Sequence, residues 1–159
     1  LAGEVERYWF DKDKLKTTSV VSYALKPLVK TAGNDTLFRL WSHPDKATMV
    51  EKCNPSLLSE YVEFCANQIN DFLSAIQQIL PNELWTPDRR VKGRLLTTTS
   101  VNSLLILLRL LIDASLAGDR LYYLDKMAKV TPKDFQGYHS SQYARMAKDL
   151  FDKYFKKAS

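Results

Sequence analysis

The sequence predicts an all-α fold, a single-domain helical bundle built from two similar three-helix units. Three observations carry that expectation. Apolar residues recur at steps of three and four over long stretches, and glycine, at five in 159 residues, is too scarce for a turn-dense β fold. Helix-start and helix-stop signals also recur in the same order in both halves. A chain of this length buries roughly 70% of the surface its unfolded form exposes, so no disulfide or metal staple is required.

Glu4 to Phe10 fits neither a strand nor a helix period cleanly and stays open between them. From Thr17, Thr18 and Ser19 a helix runs through Val20, Tyr23, Ala24 and Leu28, and Pro27 is expected to kink it or end it early. Ala32 to Asp35 is a stop signal, followed by a short apolar segment of Leu37, Phe38, Leu40 and Trp41. Asn54 then caps a long helix with Pro55 at its first position, and Leu58, Val62, Cys65, Ile69, Phe72, Ile76 and Ile79 are expected to form one buried face as far as Pro81.

Residues 81–94 read as a loop anchored by Leu84 and Trp85. The next helix opens at Thr97 to Ser100 and is apolar nearly all round from Leu104 to Ile112. Its apolar run is broken by Arg109 and is shorter than the ~20 residues of a bilayer span, so it belongs in the centre of a bundle. Ala117, Gly118 and Asp119 mark a stop and a restart, with Leu121, Tyr122 and Leu124 on a short helix to about Ala128. Thr131 and Pro132 begin a loop or single turn. A last helix from near Ser140 buries Tyr143, Met146, Ala147, Leu150, Phe151, Tyr154 and Phe155.

The two halves resemble each other. Residues 15–22 and 96–103 agree at six of eight positions at an offset of 81, and the later stop signals and long helices follow in the same order. Hydroxyl-rich helix starts look alike by chance, because capping favours Ser and Thr. The ordered match of start, stop and final helix favours duplication, with one unit at about 12–80 and the other at about 92–159.

Catalytic constellations are not evident. Cys53 and Cys65 are twelve residues apart, His43 and His139 are remote from both, and no zinc spacing exists. Cys65 reads as a buried small hydrophobe. Most aromatics occupy helical apolar positions and read as core in preference to base-stacking surfaces. Glu60 with Glu63, and Asp149 with Asp152, lie on polar helix faces, with no facing pair that would build a metal or acid/base site. No GxxxxGK[ST] or GxGxxG run occurs, and no cofactor is expected.

The sharper signal is basic. Lys and Arg number 23 against 18 Asp and Glu, a net charge of +5, which permits a polyanionic partner. Lys12, Lys14 and Lys16 precede the hydroxyls of Thr18 and Ser19, and Arg89, Arg90, Lys92 and Arg94 precede Thr98, Thr99 and Ser100. The open N–H groups and the dipole at a helix start favour anions, so these residues are candidates for holding phosphate oxygens of a nucleic-acid backbone. The second copy is the better candidate, since only one acid accompanies its cations and Gly93 permits close backbone approach. The plainer alternative is that the hydroxyls cap their helices and the charges are solvated, with Asp11, Asp13 and Asp88 partly cancelling them.

Residues 15–29, 35–41, 94–99 and 140–143 together resemble the C-terminal helical region of bacterial proteins that carry a DGQHR domain, a family related to the regulator of DNA phosphorothioation. The resemblance implies a role around bacterial DNA modification or mobile-element defence, and a cytoplasmic helical portion of a longer protein. The N-terminal part of that family resembles a ParB-like nuclease. The Asp-Gly-Gln-His-Arg signature is absent here, so no catalytic residue carries over. The expected function is therefore a non-enzymatic accessory domain that contacts nucleic-acid backbone, with no membrane contact. The alternative is a protein-interaction or dimerisation module, partnered by another protein or by the rest of the same polypeptide.

Overall fold

The computed structural model describes residues 17–156, and those residues contain helices and no strand. Helix α1 is continuous over residues 17–29 but changes pitch: α-helical at Thr17–Val20, π-helical at Val21–Leu25 and α-helical again at Lys26–Val29. Pro27 does not end the helix at once: it runs on to Val29, and its pitch changes just before the proline. Proline lacks an N–H and its ring crowds the carbonyl four residues back, here that of Tyr23. The wider π turn absorbs the mismatch, with Lys26 N–H donating to Val21 O one residue further back than an α-helix would.

Helices α2 (Leu37–Leu40) and α3 (Lys46–Lys52) are short, and α4 (Pro55–Ile79) is the longest. Sequence periodicity missed α3, which has no side-chain N-cap bond and ends at Cys53 in the left-handed region at φ 48°. The start of α4 is as the sequence suggests: Asn54 Oδ1 accepts from Ser56 N at 3.1 Å and Leu57 N at 3.3 Å.

Its buried face departs from the expected one only in the first turns: Cys65, Phe72 and Ile76 are buried and Ile69 and Ile79 pack against the core as expected. Leu58 and Val62 are 52% and 59% exposed, while Leu57, Tyr61, Cys65, Phe72, Ala75 and Ile76 are buried. Tyr61 is the cause. Its hydroxyl donates to Val29 O at 2.7 Å, and its ring lies against Phe38 and Trp41 with centroids 5.6 and 5.1 Å away. Leu57 and Tyr61, one residue out of step with the aliphatic pattern, turn inward there, and the expected face resumes at Cys65. Burial pushes the Cys65 thiol pKa up, which suits a packed side chain better than a nucleophile.

Helix α5 (Thr98–Asp113) is central, with Leu104, Leu105, Leu107, Leu108, Leu111 and Ile112 buried. Arg109, the charge that interrupts its apolar run, leaves the core to bind Asp35. Arg39 donates to Ile112 O at 3.1 Å, where a cation suits the negative end of the helix dipole. Helix α6 (Arg120–Lys126) buries Tyr123, whereas Leu121 is 71% exposed. Helix α7 (Tyr143–Tyr154) buries Met146, Ala147 and Leu150, and Tyr143, Phe151 and Tyr154 are only half-buried. Among the described residues no helix is long and apolar enough to cross a membrane.

Within the second half α7 packs along α5, but in the first half α4 packs most closely on α6 of the other half. The two halves therefore interlock, and their internal packing is not alike.

The 3-10 turn Pro132–Phe135 is held to α7 by one carboxylate. Asp134 accepts from Lys153 Nζ at 2.5 Å, Tyr154 Oη at 2.7 Å and Thr131 N at 2.9 Å. Burial would raise its pKa, but those hydrogen bonds outweigh burial and hold the group below its ordinary value. A depressed folded-state pKa gives stability that is complete above the unfolded value, near 3.8, and is lost as pH falls through the lower folded value. Asp134→Asn is expected to cost roughly 1–3 kcal/mol at neutral pH, with the difference from wild type shrinking below about pH 4. Urea titrations at both pH values check it, and an equal loss at both would refute it.

Candidate nucleic-acid interface

The starts of α5 and α7 and the first described turn of α1 meet at one end of the molecule. Asn102 Nδ2, in the second turn of α5, donates to Ser19 Oγ of α1 at 3.3 Å, and Asp35, just past α1, reaches Arg109 in the third turn of α5 or beyond. The two helices thus run side by side in the same direction. Helix α7 joins them: Thr99 Oγ1 donates to Ser140 O at 3.3 Å, and Ser103 Oγ donates to Tyr143 O at 2.8 Å. The positive ends of the α5 and α7 dipoles are thereby gathered beside α1, the arrangement that favours negative charge nearby.

Most of the hydroxyls in this region are already engaged. Thr97, extended at φ −111°, is the N-cap of α5, and its Oγ1 accepts from Ser100 N at 3.1 Å. Ser100 is buried, and its hydroxyl accepts from Thr97 Oγ1 at 3.0 Å, so it is not placed to meet a phosphate as expected. Thr99 is committed to Ser140, because the start of α7 docks where a ligand was expected. Thr98 is half-buried, Thr18 is exposed and Ser19 faces Asn102. Lys12, Lys14 and Lys16 lie outside the described residues.

The basic approach to α5 is built as a turn. Asp88 N donates to Thr86 Oγ1 at 3.2 Å, and Asp88 Oδ1 accepts from Arg90 N at 2.9 Å. The Arg90 guanidinium closes on the same carboxylate, with Nη2 2.8 Å from Oδ2. These hydrogen bonds hold the Asp88 pKa down to about 2. Arg90 is paired with Asp88, so the cancellation weighed from sequence applies to it. Arg89 and Lys92 are exposed and Arg94 is half-buried. Gly93 sits at φ +79°, which explains its presence by backbone conformation; a close approach to a ligand is not needed to account for it.

Two residues of this end were not singled out from sequence. Asn102 is fully buried and its Oδ1 has no hydrogen-bond partner, and Tyr23 is exposed against Tyr143. Neither had a signal: an Asn inside an apolar helix reads as a polar face, and Tyr23 reads as part of an apolar run. Compared with protein-family models, with curated proteins and with solved structures, the chain gives no match in any of the three.

Proposed function

We propose that this chain is a non-enzymatic accessory domain that contacts the phosphate backbone of nucleic acid at the shared helix-start end, chiefly through Arg89, Lys92 and Arg94. The observation that carries the reading is the parallel pairing of α1 and α5, held by Asn102 in the second turn of α5 and Ser19 in the first described turn of α1, which sets α1 beside the positive end of α5. The resemblance to the helical region of DGQHR-domain proteins supports the same reading and sets it beside bacterial DNA modification or mobile-element defence. We also read the two halves as copies, since the equivalent hydroxyl-rich starts lie side by side. Overlay of residues 17–30 on 98–111 with their following stop segments tests that doubling, and a failure to superpose removes it.

Backbone contact is non-specific and salt-dependent, each lost phosphate contact lowering the slope of log K against log salt by about 0.9. The variant with Arg89, Arg90, Lys92 and Arg94 all replaced by Ala is expected to lose roughly tenfold or more in affinity at about 0.1 M salt, alike for all sequences. Lys92→Ala alone should cost more than Arg90→Ala, because Asp88 already neutralises Arg90. Unchanged affinity in the fourfold variant refutes the site. The interaction-module reading is favoured by Leu58 and Val62, exposed one turn apart on α4. A stable dimer in light scattering, with no retention of any nucleic acid at low salt, would put that reading first.

A further inference from the structure

Along its length α1 turns a basic and aromatic stripe to solvent, with Tyr23 near its middle and the lysines toward its C-terminal end. Its exposed residues are Thr18, Ser22, Tyr23 and Lys26, and Lys30 follows directly after its last turn. No Asp or Glu occurs anywhere from Thr17 to Lys30. Among the described residues Lys26 and Lys30 form no ion pair, although Asp35 lies close to Lys30 across Gly33.

Tyr23 stands out within that stripe because, at 57% exposure, it is the aromatic ring among the exposed large hydrophobics of the described residues. Its ring leans on that of Tyr143, with centroids 6.0 Å apart and planes at 32°. Both rings are held from below. Tyr143 belongs to the first turn of α7, whose carbonyl accepts from Ser103, and Tyr23 lies in the π turn that Pro27 imposes between buried Val20, Ala24 and Leu28. A rigid tyrosine loses little rotamer freedom on binding, and every base has a face to stack on it.

We infer that the Tyr23 and Tyr143 pair, flanked by Lys26 and Lys30, is a stacking platform for the unpaired bases of single-stranded nucleic acid. The inference rests on the backbone-contact reading and narrows it. In a duplex the base faces are covered by their neighbours, so a ring at the surface gains nothing there. In a single strand a base can turn outward onto Tyr23 while its phosphates meet the two lysines and the helix starts.

The test is fluorescence anisotropy at low salt with a labelled oligothymidine and with a duplex of equal charge, for the wild type, Tyr23→Ala and Tyr23→Phe. The single strand is expected to bind the wild type more tightly than the duplex. Tyr23→Ala should weaken single-strand binding roughly five- to 150-fold and leave duplex binding unchanged, and Tyr23→Phe should retain most of it. Tyr23 is exposed, so circular dichroism should report an intact fold in both variants. Equal binding of strand and duplex, or a single-strand affinity indifferent to Tyr23→Ala, overturns the platform while leaving backbone contact standing if the fourfold basic variant still weakens both. Competition by polyglutamate as effective as by oligothymidine also overturns it, since charge alone would then explain binding. Failure of either nucleic acid to bind overturns the backbone reading and the platform with it.

Discussion

Phe72→Ala is expected to lower stability by about 3–5 kcal/mol, the largest single-residue effect in the molecule. Phe72 is fully buried in the second half of α4 and meets the ring of Tyr123 edge-on, with centroids 5.0 Å apart. Tyr123 is itself buried on α6, so truncating Phe72 opens a cavity at the joint between the two halves of the chain. The loss adds the transfer energy of the ring to the unfilled space and the forfeited aromatic contact. A domain of this size holds only about 5–15 kcal/mol in total, so the variant should be marginal. Urea denaturation measures it, with Val62→Ala as the control. Sequence periodicity puts both residues on one buried stripe, yet Val62 is exposed, and its truncation should fall within about 0.5 kcal/mol. A comparable loss for Val62→Ala would show that the first turns of α4 pack through Val62 after all.

Gly118→Ala is expected to cost about 1–3 kcal/mol, although alanine is ordinarily the less costly residue. Gly118 has no left-handed φ, so backbone strain is not the reason. A Cβ built there falls 2.5 Å from Tyr122 Cδ1, 2.7 Å from its Cγ and 2.9 Å from its Cβ. A ring swings aside at little cost, but the Tyr122 Cβ is fixed to α6 and moves only with the helix. The Gly118 N–H also donates to Tyr123 Oη at 3.1 Å, so pushing the segment away loosens a buried hydroxyl's partner. Thermal unfolding checks it, and a melting temperature equal to or above wild type would refute the clash.

Much of the fold was legible because its signals are local. Asn54 with Pro55, Thr97 before an apolar run and Asp119 after Gly118 each begin a helix where the sequence says one should, since caps act through bonds to residues two or three positions away. The inward face was legible where apolar residues crowd every side, as on α5, and along α4 from Cys65 onward. In the first turns of α4 two candidate rows compete, and Tyr61 decides between them through Val29, 32 residues earlier in the chain. No periodicity contains that partner. Leu121 and Tyr123 repeat the lesson on α6, where the aromatic wins the core position because Phe72 is there to receive it.

The candidate site divides in the same way. Sequence supplied the basic approach and the hydroxyl-rich starts, and it weighed the Asp88 cancellation from neighbouring charges alone. It did not show that Ser100 and Thr99 are consumed by Thr97 and Ser140, because the second of those partners lies 41 residues away.

By itself, then, the chain determined its helical class, most helix starts and the excess of positive charge, since each depends on residue types over a few consecutive turns. Only the tertiary structure decided which row faces inward where two compete, that α1 and α5 run side by side in the same direction, and that Tyr23 meets Tyr143 at the surface. Those outcomes depend on which distant groups satisfy one another's shape and hydrogen bonds, and such pairings form only when the chain closes on itself.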